Sequence, residues 1–167
     1  MFVFDASTLI LTAKIALLDP VLGSVSQKVA IPEQVRRECC EGKKTLDGLM
    51  IQRAIDSSRI AVATVKDRGA VAKFQADFAM GIGEAEAIAL ALEASADVLG
   101  IDDRLGIQAC KLLDIPFTTA LAILVRSRER GLIDRAEALE RLAALARYGR
   151  YRASLIDDAR GKLEEGR

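Results

Sequence analysis

The chain opens on a short apolar run, Met1-Phe2-Val3-Phe4, closed by Asp5, the pattern of a strand buried on both faces. Ala6-Ser7-Thr8 follows, where Ser7 or Thr8 can cap a helix reaching about Leu18, with Leu9, Ile10, Ala13, Ala16 and Leu17 on its apolar face. Lys28 to Ile31 reads as a second strand, and Pro32 suits the first position of a helix carrying Val35 and Glu38 that stops at Gly42-Lys43-Lys44. A helix over 46–57 precedes an apolar run from Ile60 to Val65, read as a strand, and a weaker helix over 71–80. Then comes Gly81 to Arg104, GIGEAEAIALALEASADVLGIDDR, which predicts a glycine turn, a helix and a strand ending in two aspartates. Ile115 to Thr118 predicts a last strand, at a sheet edge because of Pro116. Helices over about 120–130, 135–146 and 151–165 finish the chain.

Short apolar strands alternating with helices predict an α/β fold, a three-layer α/β/α sandwich around a parallel sheet. No repeat or linker divides the chain, so a single domain over 1–167 is expected, with the C-terminal helices from about 120 packed on it.

Ligands of an open parallel sheet bind beyond the carboxyl ends of its strands. Asp5 closes the first strand, Asp102 and Asp103 close another, and Glu84 and Glu86 stand in the first turn of the helix leading to it. Each acid alone has a plain structural role, as a helix cap, a first-turn acid or, for Glu38, a solvated helix residue. Together they would share one rim if the first strand and the 97–102 strand are neighbours. Gathered carboxylates repel, and burying them is costly without a cation.

Composition narrows the chemistry. There is no histidine among 167 residues, which removes Ser-His-Asp and Cys-His catalysis and imidazole metal sites. Cys39, Cys40 and Cys110 have neither zinc-site nor disulfide-framework spacing, and read as buried thiols of a reducing compartment. Oxygen ligands without His or Cys favour a hard ion, Mg²⁺ or Mn²⁺. Lys+Arg and Asp+Glu both number 24, so no global basic field announces a polyanionic partner. The apolar N-terminal run, interrupted by Asp5 and Lys14, is not a signal peptide, and no window suits a membrane span. A soluble cytoplasmic protein is expected.

With FVFDAST, the IPEQVRREC segment containing Glu38, the GEAEAIALA helix start and the VLGIDDR strand end in this order, the chain resembles a PIN domain over residues 1 to about 125. The likeness is to small prokaryotic PIN-like proteins related to VapC toxins, and flap endonucleases have a similar Glu-Ala-Glu-Ala. The resemblance implies a Mg²⁺- or Mn²⁺-dependent nuclease, most often a ribonuclease, with the toxin half of a toxin–antitoxin pair as one role. It implies that Asp5 is the first-strand metal ligand and that Glu38 is the glutamate of the second acidic motif. Glu86 best matches the acid of the VapC-type helix, Glu84 is the extra acid of the GEAEA variant, and Asp102 and Asp103 compete for the last ligand. Ser7 and Thr119 fall where the family places small hydroxyl residues. Thr118-Thr119 departs from the family's Gly-Thr, and glutamates at 84 and 86 reach further than aspartate.

Arg36, Arg37 and Arg104 are the expected phosphate contacts by neighbourhood. Arg147-Tyr148-Gly149-Arg150-Tyr151-Arg152 is a dense basic and aromatic cluster, read here as a helix break with Arg stems over apolar surface. RNA is the expected substrate, with a small antitoxin and a second copy as expected partners, the helices 9–17 and 46–55 offering the dimer face. The alternative is a PIN-like scaffold that binds nucleic acid or protein without turnover. A haloacid-dehalogenase-type phosphatase is disfavoured because Ser7 stands where that chemistry uses a second aspartate.

Overall fold

A computed structural model describes residues 1–42 and 44–165. The elements run β1 (Phe2–Phe4), α1 (Ala6–Lys14), α2 (Leu18–Ser24), β2 (Val29–Pro32), α3 (Glu33–Cys40), α4 (Leu46–Asp56), β3 (Ala61–Ala63), α5 (Arg68–Phe78), α6 (Ile82–Glu93), β4 (Val98–Gly100), α7 (Arg104–Leu112), β5 (Phe117–Thr118), α8 (Ala120–Glu129), α9 (Arg135–Tyr148) and α10 (Ala153–Glu165). The strands form one parallel sheet in the order β3-β2-β1-β4-β5, and helices cover both faces. This is the α/β/α sandwich that the alternation of strands and helices predicts.

Period-2 alternation divides the core. Phe2, Phe4, Val29 and Ile31 face one side, where α1–α4 and α8–α10 contribute Leu9, Val35, Ile51, Leu124, Leu142 and Leu163. Val3, Ala30 and Leu99 face the other, against Val71 of α5, Ile88 of α6 and Ala109 of α7. The C-terminal helices thus share a core with α1 rather than forming a layer of their own.

Three local differences from the sequence reading have physical causes. The first helix stops at Lys14, Ala16 turns left-handed at φ 55°, and α2 restarts at Leu18. Pro20 explains the break: within an unbroken helix its ring would meet the Ala16 carbonyl and leave it without a donor, whereas in the first turn of α2 proline is harmless. Pro32 ends β2 and stands just before α3, at a cap position its side chain cannot serve, rather than opening the helix. That helix ends at Cys40, two residues before the expected stop at Gly42, and Lys43 of the expected stop lies outside the described residues. Pro116 precedes the edge strand β5, where a missing N–H leaves no ladder bond unmade, while its carbonyl accepts from Leu99 N at 2.8 Å.

Among the described residues no single helix is long and apolar enough to cross a membrane.

The decisive feature is the middle of the sheet. β1 pairs with β2 on one side and β4 on the other, with Phe4 opposite Gly100. The chain passes from the β3 edge back across β1 to β4, so strand order reverses there. Asp5 follows β1, and Asp102 follows β4 by one residue.

Candidate active site

Asp5 leaves β1 with its backbone N–H on Gly100 O at 2.9 Å, and its carboxylate caps α1. Oδ1 accepts from Thr8 N at 2.7 Å and Oδ2 from the Ser7 hydroxyl at 2.8 Å. The side chain is wholly buried. Burial pushes its pKa from 3.8 to about 7, against the pull of the Thr8 and Ser7 donors and with repulsion from Asp102 adding to the rise.

Asp102 is placed by the β4–β5 ladder, in which Ile101 N donates to Thr118 O at 2.9 Å. Its Oδ2 accepts from Ala120 N at the start of α8, 2.8 Å away, and its Oδ1 from the phenol of Tyr151. Burial raises this carboxyl above the usual range too, while Tyr151, Ala120 and Thr8 hold it down. Thr8 finds no hydrogen-bond partner of regular geometry for its buried hydroxyl, yet it lies close enough to lower the pKa of both aspartates. Two repelling carboxyls around an underused hydroxyl are the chemistry that a cation relieves.

The neighbouring acid has another task. Asp103 turns its carboxylate onto Leu105 N at 2.7 Å and Gly106 N at 3.0 Å, capping α7. The two acids that sequence leaves in competition are therefore separated by what they bond.

The two glutamates of GEAEA separate as well. Glu84 lines the same cleft as Ser7, Asp102, Asp103, Arg104 and Thr119. Glu86, 6% exposed, points elsewhere. It accepts from Gln34 N at 3.2 Å, supplying a partner to the N-terminus of α3 that Pro32 cannot cap, and from Arg68 Nη1 at 2.6 Å. It ties α3 and α5 to α6. Glu38 reaches the first turn of α6 differently: a Cβ on Gly83 would lie 2.6 Å from both of its carboxylate oxygens. Only glycine at 83 leaves room for that carboxylate, which Gln34 Nε2 steadies at 3.0 Å.

The five acids expected on one rim, Asp5, Glu84, Glu86, Asp102 and Asp103, therefore do not gather there as one set. Asp5 and Asp102 face each other at the strand ends, Glu84 and Glu38 flank the start of α6, Glu86 is paired away from the cleft, and Asp103 is a cap. Among the described residues no three His, Cys, Asp or Glu side chains stand close enough together to hold a metal ion. The donors suit a hard cation in kind, with Asp5 and Asp102 as its core.

The cleft has a volume of about 970 Å³. Thr119 caps α8 through Ala122 N at 3.2 Å and borders the cleft, as does Arg104 at the start of α7. Arg36 and Arg37, by contrast, pair with Glu33 on their own helix. Burial pushes the Cys110 thiol up to about 11, with Asp5 adding to the rise, so that group stays protonated and is no nucleophile.

Tyr151 is the residue that sequence reasoning missed. It lies between α9 and α10, far from the acidic motifs, and its phenol reaches Asp102 across 49 positions. Burial and the adjacent carboxylate raise its pKa, so it is a donor to Asp102 throughout the working range. A local signal did exist in Gly149, whose missing side chain leaves the space the Tyr151 ring fills. The Arg147–Arg152 cluster is a helix break, as expected, and Arg150 and Arg152 border a cleft with apolar side chains such as Ile10, Leu11 and Phe117, while, among the described residues, Tyr151 alone of the cluster reaches an acid.

A family model of PIN domains matches residues 1–165. No curated protein and no solved structure matches the chain.

Proposed function

The chain belongs to the PIN-domain family, and we propose that it is a single-domain, divalent-metal-dependent nuclease that hydrolyses phosphodiester bonds of RNA in the cytoplasm. The observation that carries this reading is the buried pair of Asp5 and Asp102, neither in an ion pair among the described residues, at the point where strand order reverses. Mg²⁺ or Mn²⁺ would be held by Asp5 and Asp102, with Glu84 on the same cleft as Asp102, and would supply an activated water and charge stabilisation at the phosphoryl group. Ser7 fixes one oxygen of Asp5, while Tyr151 and the α8 N-terminus fix Asp102. Arg104 and Thr119, which line the same cleft, would meet the scissile phosphate.

Purified protein is expected to cut RNA with Mg²⁺ or Mn²⁺ and not in EDTA, and Asp5→Asn to lower the rate by at least about 10³-fold. A wild-type chain that cuts no RNA under either ion, with Asp5→Asn leaving ion binding unchanged, overturns the mechanism. The second reading, a PIN scaffold that binds without turnover, draws on the absence of three converging ligands among the described residues. RNA bound equally with and without metal and never cleaved would favour it.

A toxin role, silenced by a small antitoxin, extends the same proposal; a short adjacent reading frame whose product abolishes cleavage is its test. For a homodimer, α4 offers the better face, because Leu46 and Leu49 are 76% and 57% exposed while the apolar side of α1 is in the core.

A further inference from the structure

We propose that the arm joining α9 to α10 is a platform for single-stranded nucleic acid, in which Tyr148 stacks on a base while Lys14, Arg150 and Arg152 hold phosphates. The inference rests on the nuclease reading of the cleft and names the conformation of its substrate.

Charge is the first observation. The chain is neutral overall, yet Lys14, Arg104, Lys111, Arg150 and Arg152 line this cleft against only Glu84, Asp102 and Asp103. A local positive patch therefore shares the cleft with these acids. Its five cations come from α1, α7 and the arm, which are remote in sequence, so the fold makes the patch.

The aromatic groups are the second. The chain has two tyrosines, and both line this cleft. Tyr151 is committed to Asp102, whereas Tyr148 ends α9 with half its surface open, at 51%. Cations stand beside its ring: the Lys14 ammonium lies 5.1 Å and the Arg147 guanidinium 6.0 Å from its centroid. A half-exposed ring set among cations suits a polyanion that carries flat apolar groups. A duplex hides its base faces, and only an unpaired strand can lay one on Tyr148. An acidic protein segment would satisfy the cations but would leave the ring without a partner.

The experiment is fluorescence anisotropy in EDTA, with labelled single-stranded RNA of about 12 nucleotides, an abasic strand of equal length and a duplex. Tyr148→Ala is expected to weaken single-strand binding about 5- to 100-fold and to leave the abasic strand unaffected. Tyr148→Phe, which keeps the ring and guards against a folding artefact, should stay within about 2-fold of wild type. The double variant Arg150→Gln, Arg152→Gln should weaken both strands and flatten the salt dependence by about one to two phosphates. Arg160→Gln, exposed on α10 outside the cleft, should change nothing. Equal affinity for duplex and single strand, indifference to Tyr148→Ala, or displacement by poly-glutamate of a binding that Tyr148 does not influence would each overturn the platform. Cleavage by a chain whose binding ignores Tyr148 sinks the platform and keeps the nuclease. Tyr148-dependent binding without cleavage under any divalent ion does the reverse.

Discussion

Asp5 and Glu86 are both shut away from water, at 0% and 6% exposure, yet their surroundings differ in kind. Around Glu86 the protein supplies a guanidinium at 2.6 Å and a helix N-terminus, the usual conditions for burying a charge. Around Asp5 it supplies the N-terminus of α1, the Ser7 hydroxyl and a second carboxyl, and no ion pair among the described residues. One site is a brace between three helices. The other is left electrostatically unbalanced by the protein alone, which is expected where an external cation completes the balance.

The largest test of that contrast is Asp5→Asn. The folded protein holds the Asp5 proton more tightly than the unfolded chain, with a pKa of about 7 against 3.8. The stability that goes with neutral Asp5 is therefore full below about pH 4 and is lost as pH rises through 7. Asparagine stays neutral and still caps α1. In EDTA at pH 8, urea denaturation should show Asp5→Asn to be more stable than wild type by about 2–4 kcal/mol, the gap closing towards pH 4. Mg²⁺ should stabilise wild type and leave the variant unmoved. A gap that is the same at pH 4 and pH 8 would mean that Asp5 is balanced by the fold after all.

Much of this contrast was open to sequence reasoning, and part was hidden from it. β1 and β4 could be found because short apolar runs ending in acids are the mark of strands buried on both faces, and the sheet order then brings Asp5 to Asp102. The rotation of α6 could not. Its residues 83 and 85–91 are all buried, so no amphipathic stripe shows which side looks into the cleft. Glu84 and Glu86, about 200° apart around the helix, therefore exchange easily in a motif-based assignment. The family resemblance favours Glu86, whereas the structure sets Glu84 on the cleft and gives Glu86 to Arg68. Tyr151 was hidden for another reason: its contact with Asp102 has no periodicity behind it and depends on how α9 and α10 pack.

A smaller effect is expected on the other side of the comparison. Arg68→Ala leaves the Glu86 carboxylate buried with only Gln34 N beside it. Arg68 is itself more than half exposed, so solvent has already weakened the pair, and the loss should be about 1–2 kcal/mol in urea denaturation. Cleavage per folded molecule should stay within about 2-fold of wild type, because the pair braces helices and lines no part of the cleft. A folded Arg68→Ala protein that has lost cleavage would bring Glu86 back into the ligand set.

The smallest expected effect separates the adjacent aspartates. Asp103→Ala removes the acceptor for Leu105 N and Gly106 N at the start of α7. Losing such a cap should cost about 1 kcal/mol, seen as a shift of the urea midpoint with unchanged slope. Asp103 borders the cleft, so proximity alone does not decide its role; the direction of its carboxylate does, since one of its oxygens is already shared by two backbone donors. Asp102→Ala should abolish cleavage, whereas Asp103→Ala should reduce it no more than the unfolded fraction requires. If both variants lose cleavage equally while Asp103→Ala keeps its stability, the carboxylate at 103 leaves its cap to join the site, and the division between bracing and reacting acids must be redrawn at that residue.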